Sequence, residues 1–157
     1  MQSADLESSP SSHPVLSYTD GLAAASTDAM LLIARLLMAL IFIMGGWRKL
    51  MDMPAFAATM TGRGLPEWSG YLAPPVEFFG GLALLFGFGT RYVSLLLLLF
   101  TIIATFSSHA YWTYPAAQQT AQASNFWKNV AMMGGFFTLF VTAAGRYSLD
   151  ALLRRKT

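Results

Sequence analysis

Five side chains that can donate, accept or relay a proton stand near the ends of apolar stretches: Lys49, Glu77, His109, Lys128 and Asn129. Lys49, His109, Lys128 and Asn129 can donate hydrogen bonds, and Glu77 or His109 can pass protons. Trp47, Trp68, Trp112 and Trp127 fall at the same places. Donors beside aromatic and Met side chains suit a lipid-soluble ring bearing carbonyl oxygens. The expected roles are catalytic for Glu77 and His109, ligand-binding for Lys49, Lys128, Asn129 and Trp112, and structural charge for Arg35 and Asp150.

Four apolar stretches must position these groups, at 29–49, 68–89, 92–109 and 126–144. Each approaches the roughly 20 helical residues that cross a hydrocarbon layer. The reading is therefore an all-α protein, a four-transmembrane-helix bundle. In a chain crossing four times, the end of the first span, the start of the second, the end of the third and the start of the fourth share one side. The polar set occupies those four places. Polar groups are costly in lipid, so their convergence at one depth marks a site.

Composition supports lipid as the solvent. The chain has 157 residues, is 55% hydrophobic and 11% charged, with a mean hydropathy of +0.48. Soluble domains carry about a quarter charged residues. Cysteine is absent. This excludes thiol–disulfide exchange, Cys-ligated zinc and iron–sulfur clusters held by this chain alone. The two histidines, His13 and His109, lie far apart in the chain, which argues against a bis-histidine haem. Basic residues are scattered near helix ends, a juxtamembrane pattern with no sign of nucleic-acid binding.

Residues 1–27 are Ser-rich, contain no Lys or Arg, and carry Asp5, Glu7 and Asp20. They read as a disordered tail without the basic and apolar segments of a cleavable signal. Ser26 and Asp28 are candidate N-caps, which would start the first helix near Ala29. The membrane domain then covers 28–152, and 153–157 form a basic C-terminal tail. Arg91, Arg146, Arg154, Arg155 and Lys156 lie on the side away from the tryptophans, which places both termini in the cytoplasm.

Several residues admit two readings. Arg35 either faces the bundle or snorkels towards water. Glu77 lies in the first turn of its helix if Pro74 or Pro75 is N1; otherwise it faces inward beside Lys49. His109 is either interfacial or a ligand. Asn125 is a candidate N-cap for the fourth helix, following a polar loop at 114–124. Lys128 near that helix start is disfavoured unless a carboxylate such as Glu77 is close. The third span, leucine-rich from Ser94 to Phe100, reads as lipid-facing filler.

Six motifs in order carry a resemblance: Arg35-Leu-Leu, Gly45-Gly-Trp-Arg-Lys49-Leu, Glu77-Phe-Phe-Gly80-Gly81, His109-Ala-Tyr-Trp112, Phe126-Trp-Lys128-Asn129-Val-Ala-Met-Met-Gly134-Gly135 and Gly145-Arg-Tyr-Ser148-Leu-Asp150. Over roughly 30–152 the chain resembles the DoxX family of small bacterial membrane proteins. The resemblance implies a four-helix protein of the bacterial inner membrane. Some relatives look like the membrane subunit of a thiosulfate–quinone oxidoreductase, and others are linked to oxidative-stress complexes. The leading expectation is a non-haem membrane subunit that holds a quinone and needs an electron-carrying redox partner protein. The alternatives are an assembly or anchoring protein and a small-solute transporter, which at this size would form a homo-oligomer.

Overall fold

The computed structural model describes residues 14–155, and among them every regular element is helical. Four long helices, α1 (Pro14–Leu50), α3 (Ser69–Phe86), α4 (Thr90–Ser108) and α5 (Ala116–Thr142), lie side by side. Two short ones, α2 (Met53–Ala58) and α6 (Leu149–Arg154), sit at opposite ends. α1 packs mainly along α3, α5 packs along α4, and α3 against α4 joins the two pairs. Ala39, Phe42, Leu84, Leu97, Leu98, Phe136 and Leu139 form the core. The outer faces are apolar too, with Leu37, Met44, Tyr92 and Val141 exposed. A bundle apolar both inside and outside is built for lipid.

By length and composition, two helical stretches among the described residues can cross a membrane: Ser17–Leu50 and Thr90–Thr113. In α3 the apolar run is interrupted by Glu77, two prolines and three glycines, and in α5 the first turns carry Gln, Ser and Asn.

Three expectations about boundaries are corrected. The first helix starts at Pro14, so residues 14–27 are helical; residues 1–13 and 156–157 of the expected tails lie outside the described residues. Proline suits a first turn, and the run Ala23–Ala24–Ala25 propagates helix without a breaker. Ser26 is consequently mid-helix, its hydroxyl donating to the Leu22 carbonyl at 2.8 Å. Asp28 caps a different segment: Oδ1 accepts the Arg146 N–H at 2.7 Å. The helix expected at 126 begins ten residues earlier, after Pro115, because the Ala- and Gln-rich run is itself helix-forming. Asn125 is therefore not a cap, and 116–124 is not a loop. In the basic tail, Leu153 and Arg154 belong to α6.

The α3–α4 hairpin is closed by side chains from elsewhere. Arg35 is fully buried, and its guanidinium donates to the carbonyls of Leu84 and Leu85, both at 3.4 Å, and to that of Tyr147. It thus fills the C-terminal end of α3 and does not snorkel. The turn passes through Gly87 at φ 65°, where a Cβ would strike Arg35 and Ser148. On the other side Asp150 accepts the N–H groups of Gly89 at 2.7 Å and Thr90 at 2.9 Å, capping α4. Burial opposes ionisation of Asp150, but those N–H groups and nearby Arg154 outweigh it and hold its pKa below the ordinary carboxylate value.

A carboxyl with a depressed pKa contributes stability above its unfolded value, and that contribution is lost as pH falls through the folded one. Asp150→Asn should therefore lower stability by about 1 kcal/mol at pH 7, and the gap from wild type should shrink below about pH 4. Thermal melts at both pH values check this. Arg35→Ala should cost more, about 2–4 kcal/mol, because three buried carbonyls lose their donor.

Candidate functional site

At the end away from Asp150, α1 and α3 come together over glycine. A Cβ on Gly46 would lie 2.6 Å from the Phe78 backbone nitrogen, and one on Gly81 would lie 3.0 Å from that of Ile43. This approach carries Lys49, in the last turn of α1, onto Glu77, and the two form a salt bridge. Glu77 is only 7% exposed. Its helix begins at Ser69, so Glu77 lies beyond the first turn and the dipole reading does not hold. Gly45 makes room for it, since a Cβ there would stand 2.5 Å from Glu77 Oε1.

The segment between α1 and α3 folds back beside this pair. Ala57 of α2 seats against Gly70, and the Phe56 ring lies 5.3 Å from the Lys49 ammonium and 5.5 Å from the Arg63 guanidinium. Cations over an aromatic face are attracted by its quadrupole. Arg63 in turn donates to the Ser108 hydroxyl at 3.1 Å, tying the segment to the end of α4.

His109 follows the last residue of α4, and its Nδ1 donates to the Gln122 side-chain oxygen at 2.8 Å. The neutral ring then has Nε2 as its acceptor. Asn129 of α5 donates to the Thr105 hydroxyl at 3.0 Å, and Thr105 donates to the Thr101 carbonyl at 2.5 Å. The α4 face that holds these hydroxyls is not lipid-facing filler. Thr90, Ser94, Thr101 and Thr105 are buried along it, and the last three donate to the carbonyl four residues back.

Lys49, Glu77, His109, Asn129 and Thr101 line one cavity of about 130 Å³, completed by Ile41, Phe42, Phe100, Ala104 and Met132. An apolar cavity of about 150 Å³ holds a benzene ring, so this one is sized for a single ring or a few waters. Two donors, Lys49 and Asn129, an imidazole and a carboxylate thus meet an apolar floor. Phe42 packs against Phe136 with tilted rings, their centroids 5.5 Å apart. Among the described residues no three His, Asp or Glu side chains gather to hold a metal.

Two expected members are elsewhere. Lys128 is exposed and does not line the cavity; Glu77 pairs with Lys49. One residue before Asn129 is about 100° around the helix, so the two cannot share a face. Trp112 is 55% exposed and packs on Tyr111 and Phe126 in an aromatic cluster outside the cavity. Trp47, Trp68 and Trp127 are exposed as well. Gln122, Thr101 and Thr105 were not singled out from the sequence. The hydroxyl spacing on one face of α4 could have revealed the threonines, and Gln122 was hidden by its assignment to a loop.

Gly45→Ala should push Glu77 off Lys49 and lower the melting midpoint, at a cost of about 1–3 kcal/mol for overpacking. Gly134→Ala, with nothing within 4 Å of its Cβ, should leave the midpoint unchanged. Equal effects of the two substitutions would contradict the packing described.

Comparison with known proteins identifies the family. Residues 30–110 match the DoxX family model, and residues 78–156 match that of the SURF4 family. The inner membrane protein YqjF of Escherichia coli is 37% identical over 129 residues, covering 82% of this chain and 95% of YqjF. The inner membrane protein YphA of the same organism is 32% identical over 128 residues, covering 80% and 91%. No solved structure matches. The chain belongs to the DoxX family of integral membrane proteins.

Proposed function

We propose that this protein crosses the bacterial inner membrane four times, through α1, α3, α4 and α5, with both termini in the cytoplasm, and that the Lys49–Glu77 cavity near the exterior face holds the head of a quinone. The observation that carries the reading is the shared cavity: Lys49, Glu77 and Asn129 from three helices and His109 from the end of a fourth meet at one space of about 130 Å³.

The residues fit such a head. Lys49 and Asn129 offer donors to carbonyl oxygens, and Phe42, Phe100 and Met132 supply an apolar bed. Gln122 fixes the His109 tautomer, leaving Nε2 as the nitrogen that accepts a proton. Glu77, salt-bridged to Lys49, lines the same space and is the second proton-holding group. A bound quinone supplies two-electron, two-proton chemistry. The chain has no thiol, so electrons come from a redox partner protein. The inner-membrane names of the two relatives and the exposed tryptophans support the setting.

Protein purified from bacterial membranes in mild detergent should carry a lipid-soluble quinone in a ratio near one per chain, measured by extraction and chromatography. Glu77→Gln should reduce retention about tenfold, as expected for loss of a buried charge-assisted contact. If no quinone is retained, and added quinone does not raise the melting midpoint, the reading is wrong.

A further inference from the structure

A second cavity, of about 310 Å³, lies at the opposite end of the bundle where the chain leaves α5 and enters α6. Its wall is the turn Thr142–Gly145, in which Ala143 is held at φ 62° and ψ −160°, a conformation that L side chains adopt only under constraint. Arg146 and Arg154 line it. Asp150 lines it too, and Asp28 stands beside Arg146. Asp28 accepts the Arg146 N–H, and its other oxygen stands 3.9 Å from the Arg146 side chain. Asp150 gives both oxygens to the backbone N–H groups that start α4. Arg155, exposed just past α6, adds to the positive charge beside the cavity.

The surface around the cavity is apolar. Leu149, Leu152 and Leu153 are exposed on α6, and Val141 is exposed on the last turn of α5. A six-residue helix that shows three leucines outward and ends in Arg154 and Arg155 is built for the boundary between acyl chains and headgroups. Guanidiniums recognise phosphate by paired hydrogen bonds. We infer that this cavity binds an anionic phospholipid, its phosphate held by Arg146 and Arg154 and its acyl chains covering the leucines of α6. A free phosphate would satisfy the arginines and leave the leucines bare, which is why the lipid is the fitting ligand.

The test uses the full-length protein in detergent, titrated with phosphatidylglycerol, phosphatidylcholine or inorganic phosphate. Thermal midpoint and native mass spectrometry are the readouts. Phosphatidylglycerol should raise the midpoint saturably, with one lipid retained per chain, and the other two should not. Two cations near an anionic headgroup contribute about 1 kcal/mol each, so R146Q/R154Q should weaken phosphatidylglycerol binding about thirtyfold. R146K/R154K, which keeps the charge but loses the paired hydrogen bonds, should bind between that variant and wild type, and R91Q, outside the cavity, should keep all of it. The inference fails if the lipids act alike, if inorganic phosphate stabilises as well as lipid, or if R91Q weakens binding as much as the double substitution. Should R146Q/R154Q not fold, the lipid competition in wild type and the R91Q comparison decide the matter.

Discussion

The distance between α1 and α3 governs the cavity end of the molecule. Glycine stands on both sides of the contact, at Gly45 and Gly46 on one helix and Gly81 on the other. Without those positions the backbones would separate by a side chain, and Lys49 and Glu77 would face apolar neighbours singly. A charged pair out of water gains attraction only if its geometry is good enough to offset desolvation. The tight helix contact supplies that geometry, and Phe56 and the Arg63–Ser108 bond hold the covering segment beside it.

The other end solves a different problem, the unsatisfied backbone groups where α3 stops and α4 starts. A cation from α1 takes the carbonyls and an anion from α6 takes the N–H groups. Each charge is opposite to the helix end it meets, so macrodipole and hydrogen bonding act together. Both ends of the bundle thus use buried charge, once between side chains and once between side chain and backbone.

The all-helical class, and the grouping of four of the polar residues, were legible because they rest on periodicity. Four apolar stretches of similar length, folded as helices side by side, bring Lys49, Glu77, His109 and Asn129 to one end whatever the loop details. What escaped depends on contacts distant in the chain. Asp28 has the look of an N-cap, but its partner is 118 residues away, and nothing local announces that. Arg35 binds main-chain carbonyls, which leave no residue-type signature. Lys128 was placed by depth alone, and depth ignores the turn of about 100° that separates it from Asn129. The start of α5 was set too late because polarity was given more weight than the helix propensity of Ala and Gln.

α1 spans 37 residues without a break, roughly 55 Å at 1.5 Å per residue. One rod therefore carries Asp28, seated on Arg146, and Lys49, seated on Glu77. A stiff rod cannot twist at one end alone. Any turn of α1 about its own axis that unseats Asp28 also swings the Lys49 ammonium away from its carboxylate, so the two ends of the bundle are geared to each other through a single helix.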